Sequence, residues 1–545
     1  MLYLKAEIKE AIKKTCKDRF GISIEPAVVV PSRSEHGDFS CNISSLFSEV
    51  SGLSFDKFAE AILSDLKKRE EIFKRVVRVG GYINFFLCDK YLFGQLRHTL
   101  EQGNRFGSSD VGCGKRILVE FVSANPTGPL NVVSARAAAV GDVLVKLLNF
   151  TGYNADAEFY INDAGRQVKM LGISAEKRYE EMLGKTVEIP EDGYRGEYIK
   201  DYIREFADDE KVRTLDEKER IDFFKDYLIE EMVKWQRSSL ERFGVKFKNW
   251  LSEKTILEKF SIQAVVDYLK SRGEVYEKDG ALWFSTTKYG DDKDRVFIKQ
   301  DGTHTYIVSD ASYHKNKFER GYEHLIDILG PDHHGDIMRL KAVVGAFGYN
   351  PDALEIIIVQ QVTLVSRGEK KKMSKRAGKF ITLDSLLKSV NKDAVRFFFL
   401  MRKTSAHLDF DVELAKTLSL ENPVYYIQYC YARTFNILNF AKEKGIVPVE
   451  LPDLSLLREE QEREIAKLIL GFPEVVLDAS VKREIHKLPY YLLSLSKSFH
   501  SYYQKNRVVT DNEKLTQARL FLVRVVKQVL KNGFDLIGVS APERM

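Results

Sequence analysis

The sequence predicts an α/β protein built on a mostly parallel, doubly wound sheet, with a small α+β domain before it and an all-α domain after it. Three observations carry that prediction. First, Ile117 to Val122 is an apolar, β-branched run that breaks at Asn125-Pro126-Thr127-Gly128-Pro129 and resumes as a small-residue helix from about Val133 to Leu148. Strand, tight turn and helix in that order aim free backbone N–H groups at a ligand. Second, His324 to Gly330 and Leu354 to Val359 read as buried strands with helices after them, the alternation of a parallel sheet. Third, from Asn422 to the end the periodicity is almost wholly helical.

A chain of 545 residues is too long for one core and implies several domains. It is 44% hydrophobic and 30% charged, which is globular rather than disordered. The net charge of +5 is too small to name a nucleic-acid partner, but positions 481–545 hold 12 Lys/Arg against 5 Asp/Glu, a locally basic end suited to phosphates or to a solvated helical surface. The cysteines (Cys16, Cys41, Cys88, Cys113, Cys430) are scattered and never paired as CxxC, which argues against a disulfide framework and a thiolate zinc site. No apolar run approaches membrane-helix length, and the start has acidic residues and helical periodicity, unlike a signal peptide. The expectation is a soluble cytoplasmic protein.

In chain order, residues 1–110 form the α+β domain. Leu4, Ile8 and Ile12 share a helical face, and Ala27 to Val30 is a short strand stopped by Pro31. His36-Gly37-Asp38-Phe39 is a turn expected to lead into a helix, and Val79 to Leu87 a glycine turn with an aromatic strand. Residues 111–385 form the α/β domain, with a charged helical insertion over about 170–254. Within it, Asp279-Gly280 and Asp301-Gly302 each sit between strand-like runs, Val275–Glu277 with Ala281–Phe284 and Val296–Ile298 with Tyr306–Val308, and predict two hairpins. Residues 386–421 connect to the helical domain, 422–545.

The residue pattern with most chemistry is Gly368-Glu369-Lys370-Lys371-Lys372-Met373-Ser374-Lys375-Arg376-Ala377-Gly378, a basic loop between glycines, suited to a polyphosphate whose charge grows during reaction. The string Lys372-Met373-Ser374-Lys375 resembles the KMSKS signature of class I aminoacyl-tRNA synthetases. The first stretch, Ala124 through Ser134 (Ala124-Asn125-Pro126-Thr127-Gly128-Pro129-Leu130-Asn131-Val132-Val133-Ser134), is then similar to the segment of arginyl-tRNA synthetases that holds the other class I signature, HIGH. The resemblance runs through Tyr306 to Lys315, Asp332-His333-His334-Gly335, Asn422 to Arg433 and the last eight residues, and His36 to Phe39 with Tyr82 to Phe85 resemble the family's N-terminal domain. It implies a Rossmann-like catalytic domain, an N-terminal additional domain meeting the tRNA elbow and a helical anticodon-binding domain. It implies ATP-dependent activation of L-arginine and its transfer to tRNA for arginine, with Mg²⁺ accompanying ATP, no resident metal, no membrane and a monomer.

The site roles also come from the resemblance. Lys372, Met373, Ser374 and Lys375 stabilise the pyrophosphate leaving group. Glu120 and Asp310 are arginine-binding carboxylates, the planar acidic partners a guanidinium needs, with Asn125, Tyr306 and His333 beside them. Asp310 is expected at a strand–helix junction, with Tyr306 one turn before it if that segment is helical. His36, Asn84, Tyr425, Tyr429 and Arg433 face tRNA, the last three at i, i+4, i+8, a stripe equally suited to a helix core.

One place departs from the family. HIGH is expected as His-Val-Gly-His and reads Asn131-Val132-Val133-Ser134; no histidine occurs between His98 and His304. Losing one transition-state donor costs roughly 10²–10³ in rate, and two losses are not simply additive. Three explanations stand: an inactivated variant, a slow enzyme with an adjusted backbone, or a synthetase-like tRNA-binding protein.

Overall fold

The computed structural model describes residues 2–31, 33–48, 52–259, 262–366, 369–370 and 381–545. A central sheet of five parallel strands organises it. In chain order these are β5 (Arg116–Phe121), β6 (Asn154–Ile161), β7 (Asn249–Ser252), β11 (His324–Leu329) and β12 (Leu354–Ile358), in spatial order β12-β11-β5-β6-β7. The remaining labels fall in the flanking domain, β1 (Val28–Val29), β2 (Phe39–Asn42), β3 (Phe73–Val79) and β4 (Tyr82–Leu87), and in a small antiparallel sheet, β8 (Val275–Lys278), β9 (Ala281–Phe284) and β10 (Arg295–Ile298).

The helices that matter here are α1 (Leu2–Phe20), α2 (Phe55–Lys67), α3 (Asp89–Gln102), α4 (Val132–Phe150), α5 (Arg166–Met182), α6 (Glu217–Arg242), α7 (Glu253–Lys259), α8 (Tyr306–Glu319), α9 (Ile337–Ala346), α10 (Leu383–Ser389), α11 (Pro423–Glu443), α12 (Glu460–Val481), α13 (Lys487–Lys505) and α14 (Glu513–Ile537). Strand β5 is apolar because both its faces are covered, as in any sheet with helices on either side. Helix α4 lies so close to it that a Cβ on Gly141 would stand 2.2 Å from the Phe121 ring, which is why a glycine sits mid-helix there despite its cost in helix propensity.

Four expectations need correction. The segment after Asp301-Gly302 is not a second hairpin arm: Tyr306–Val308 opens α8, and β10 pairs with β9 instead. Asp310 therefore lies inside a helix, not at a strand–helix junction. The turn at His36–Phe39 leads into β2, not a helix, because Phe39 and Cys41 are buried in an antiparallel pairing with β4. The Asp279-Gly280 hairpin is present, both residues having the positive φ that a two-residue turn demands. The helical insertion ends at Arg242, since β7 belongs to the central sheet.

The N-terminal domain docks on the helical one through a charged clasp. Asp38, 4% exposed, accepts the Leu87 N–H at 2.7 Å and pairs with Arg463 and Lys467 of α12; Arg463 also reaches Asp89 and the Leu87 carbonyl. Breaking a buried pair by removing one partner strands the other charges. Asp38→Ala is therefore expected to cost about 3 kcal/mol, read as a lower urea midpoint together with faster amide exchange at Leu87. Unchanged exchange there would show that the clasp does not hold the two domains together.

Candidate active site

Three carboxylates lie side by side on neighbouring strands. Strand register places Asp327 of β11 opposite Glu120 of β5, and Glu120 opposite Glu158 of β6. All three are buried, at 2%, 6% and 0% exposure. Ionised carboxylates in such a row are tolerated only when paired, and α8 with the residue after it supplies the partners. The Lys317 ammonium donates to Glu120 (2.5 Å) and Asp327 (2.8 Å). Arg320 grips both oxygens of Glu158, at 2.5 and 2.8 Å, and the Tyr313 hydroxyl donates to the same carboxylate at 2.8 Å. The two ring nitrogens of His314 lie 2.8 Å from the Asp310 carbonyl and 2.9 Å from Asp327. Lys317 between two carboxylates stays charged in spite of burial, and the same cations hold Asp327 well below the usual carboxylate range.

Above this balanced row sit two acidic groups with no cation of their own. Asp310, half-buried on α8, has no side-chain hydrogen bond or ion pair among the described residues, and burial pushes its carboxyl up. Glu253, the first residue of α7, is raised to about 6, chiefly by burial and then by the neighbouring Asp163, with Ser309 as its hydrogen-bond partner. Asp163 accepts from Ser252 Oγ (2.6 Å) and the Lys254 N–H (3.0 Å), tying the start of α7 to the end of β6. Tyr160, stacked on Tyr313 with ring centroids 4.1 Å apart, feels Glu253, Asp310, Glu120 and Asp163 together, and its hydroxyl is held protonated by burial and by their field. The result is an acidic recess at the carboxyl ends of parallel strands, where open α/β sheets bind ligands, and a cation is what it would take.

At the rim, the chain leaves β5 under strain. Val122 and Ser123 have φ of 74° and 35°, a region a β-branched residue almost never adopts and a mark of functional segments. Ser123 Oγ donates to Glu120 at 2.7 Å. Asn125, half-buried, bonds Asn162 (3.1 Å) and Gln167. Ala124, Thr127, Gly128 and Pro129 line the same turn half-buried, while Pro126 and Leu130 are buried beneath it. Tyr306 projects from the first turn of α8 at 85% exposure, facing a cleft of about 1140 Å³ that Pro129, Tyr198, Trp235 and Thr382 also line.

The Asn131–Ser134 segment starts α4. Asn131 is the N-cap: its Oδ1 accepts the N–H groups of Val133 and Ser134, both at 2.9 Å. Two of the first-turn donors that could meet an anion are thus taken by the protein itself. Val132 is fully buried; Val133 and Ser134 are half-buried. Leu130 and Asn131 also zip to the stretch before α10, through a bridge between Asn131 and Thr382 and a 2.8 Å bond from the Leu383 N–H to the Leu130 carbonyl. Lys372, Met373, Ser374 and Lys375 lie outside the described residues. Arg136 is buried and spends its guanidinium on the carbonyls of Gln360, Lys403 and Ala406, each at 2.9 Å, a structural task.

His333 and His334 are exposed on a short turn after β11, with His333 Nδ1 2.9 Å from Asp336. Among the described residues no group of three or more His, Cys, Asp or Glu is placed to ligate a metal. In the helical domain, Tyr425 and Tyr429 stack in parallel, Tyr429 stacks on His500, and Arg433 lies 4.7 Å over Tyr429 and 5.2 Å over Tyr503. All of this ladder is half-buried or more open except His500. His36 is partly open in the N-terminal domain. Asn84 is a correction: at 3% exposure, with its Oδ1 accepting from Ser40 at 2.7 Å, it is a bond inside the sheet, beyond the reach of a tRNA surface. Sequence reasoning missed Lys317, Glu253, Gln236, His500 and Tyr503; a lysine mid-helix or a glutamate after a strand carries no local signature.

Comparison with known proteins agrees with this geometry. The model for tRNA synthetases class I (R), catalytic domain, matches residues 95–409. The arginyl tRNA synthetase N terminal domain matches 3–87, and the DALR anticodon binding domain 427–545. The arginine–tRNA ligase of Syntrophotalea carbinolica is 45% identical over 521 residues, 95% of this chain and 94% of the relative. That of Bacillus subtilis is 42% identical over 551 residues, 99% of this chain and 98% of the relative. The Thermus thermophilus arginyl-tRNA synthetase structure superposes with a TM-score of 0.78, covering 99% of this chain and 100% of that one, at 23% identity, a likeness of fold. The fold is therefore that of a class I aminoacyl-tRNA synthetase. Within that class, the chain belongs to the arginyl-tRNA synthetase family.

Lys317→Met would remove the one cation shared by Glu120 and Asp327. A loss of about 3–5 kcal/mol is expected from stranding both carboxylates, measured by thermal or urea unfolding. An unchanged melting temperature would show that the row is neutralised some other way.

Proposed function

We propose that this chain is an arginine–tRNA ligase. L-Arginine attacks the α-phosphate of ATP through its carboxylate, giving arginyl-adenylate and releasing pyrophosphate. The terminal ribose hydroxyl of tRNA for arginine then attacks the adenylate carbonyl and AMP leaves. The observation that carries the reading is the pair of carboxylates Asp310 and Glu253, neither in an ion pair among the described residues, set beside a row whose acids pair with Lys317 and Arg320. Asp310 has the free acceptor geometry a guanidinium wants, and Glu120, whose Oε2 accepts from Lys317 and Oε1 from Ser123, adds negative charge beneath it. Asn125 and Tyr306 line the approach, with His333 farther out on its turn. Lys372, Met373, Ser374 and Lys375 act on the phosphates. Mg²⁺ enters with ATP as part of the substrate. The Tyr425–Tyr429–Arg433 ladder offers stacking faces to unpaired anticodon bases, and His36 offers an elbow contact. Domain limits near 110, 385 and 421, a cytoplasmic location and a monomer complete the proposal; no helix among the described residues is long and apolar enough to cross a membrane.

A second reading, a synthetase-like protein that binds arginine and tRNA without efficient activation, is favoured by one observation. The Asn131 side chain occupies the N–H groups of Val133 and Ser134. The comparison that separates the two is aminoacylation, with tRNA present during activation, by the parent and by a companion carrying Asn131→His, Val133→Gly and Ser134→His. The companion is expected to be faster by about 10²-fold or more. Equal rates would show that the cap does not limit activation, and no charging by either protein despite tight tRNA binding would favour the second reading.

The raised carboxyl of Glu253 gives a pH signature. A guanidinium favours its ionised form, so arginine binding weakens as pH falls through about 6, approaching about tenfold per pH unit for one linked proton. Glu253→Gln is expected to flatten that dependence, and Asp310→Ala to abolish measurable arginine binding by calorimetry. Arginine affinity unmoved by Asp310→Ala would remove the assignment of the recess.

A further inference from the structure

One face of α6 touches both segments that frame the ATP side of the site. Gln236, 1% exposed, donates from Nε2 to the carbonyls of Asn125 (3.0 Å) and Gly128 (2.9 Å), the two ends of the Asn125–Gly128 turn. Its neighbour Trp235 donates from the indole N–H to Asp384 of α10 at 2.6 Å. Ser239 and Arg242, one and two turns on, reach the same carboxylate at 3.0 and 2.6 Å. From the short helix Tyr198–Ile203 between α5 and α6, the Tyr198 hydroxyl donates to the Thr127 carbonyl at 2.5 Å, and its ring packs edge-on against Trp235. Asp384 stands two residues after Thr382, which bridges to Asn131. A single rigid helix thus grips the signature turn with one residue and the start of α10 with the next.

We propose that α6 sets the separation and tilt of these two segments, with Gln236 and Trp235 as positioning residues for adenylate formation; the proposal rests on the activation reading above. The physical argument is one of satisfaction and reach. The turn at Asn125–Gly128 carries strained backbone just upstream; without Gln236 its Asn125 carbonyl would keep only the Thr127 N–H at 2.8 Å and its Gly128 carbonyl would lose its donor among the described residues. Only a side chain with two donors on one nitrogen closes both ends of it at once. The indole N–H aims at Asp384 along a bond that a phenyl ring of nearly the same shape cannot make. Neither residue touches a reacting atom. Their effect acts through geometry, and a displacement of about 1 Å in a reacting constellation can cost about 10²-fold in rate.

The test uses the full chain with three single variants: Gln236→Met, Trp235→Phe and Asp384→Asn. The probes are a non-reactive arginyl-sulfamoyl-adenosine, which spans both segments, and arginine alone, each by calorimetry, with melting temperature alongside. Gln236→Met and Trp235→Phe are expected to weaken the analogue by about tenfold or more. Trp235→Phe should leave arginine affinity within about twofold, because Asp384 lies on the phosphate side. Asp384→Asn keeps an acceptor for the indole and is expected to hold the analogue more tightly than Trp235→Phe does. A merely structural role would weaken analogue and arginine equally while lowering the melting temperature, and that result overturns the proposal. Analogue affinity in both variants equal to the parent's overturns it as well, leaving the activation reading intact. A parent that binds arginine but not the analogue overturns the activation reading and this proposal together.

Discussion

Everything around the site depends on one electrostatic constraint: three carboxylates in register on three adjacent parallel strands must find cations without access to water. Strand pairing fixes their spacing, so it cannot be relaxed by local movement. The sheet then dictates what α8 must be. A helix crossing the row has to present Tyr313, His314 and Lys317 on its inner side, and Arg320 just past its end. Once those positions are committed, Asp310 is left on the same helix one turn ahead of His314, facing the recess without a partner. The position of Asp310, which has no side-chain partner among the described residues, thus follows from the need to neutralise the three acids of the row. Breaking such a row is costly, while replacing it with apolar residues need not be, so its presence argues for specificity of charge rather than for stability.

The rim follows a different logic. The chain leaves β5 through two residues in the left-handed region, turns, and enters α4 through an asparagine cap. Strain and capping oppose each other: strained backbone keeps the turn poised, whereas a satisfied cap makes the helix start self-sufficient. In the usual family pattern the corresponding side chains would face outward toward a nucleotide. Asn131 faces inward. The same residue that gives α4 a sound N-terminus therefore lowers the anion-binding capacity of that terminus.

The architecture was largely legible in the sequence because its signals are local: an apolar β-branched run for β5, an Asp-Gly pair for the β8–β9 hairpin, helical periodicity after Asn422. What escaped was set by tertiary context. Tyr306–Val308 alternates like a strand, yet Tyr306 is exposed and the segment winds into α8 because the downstream pattern must present Lys317 inward. His36–Phe39 resembled a helix entry until Phe39 and Cys41 found burial in a sheet. Asn84 resembled a surface amide and became a bond between strands. Glu120 and Asp310 were found only through likeness to a family, and their inequality, one paired and one free, depends on a lysine 197 residues away from Glu120. Gln236 and Trp235 had no signal, since a helix gives no notice of which carbonyls it will meet.

The clasp at Asp38 bears on the order in which the molecule can be assembled. Its partners on α12 lie 425 residues later in the chain. During synthesis the first domain emerges complete, with a buried-type carboxylate that has nothing to bury against until nearly the whole chain has been made. Contacts of such long sequence separation form late and slowly. Through most of translation Asp38 would remain hydrated and the two domains apart, so the last helices to appear would close the first part of the molecule into place.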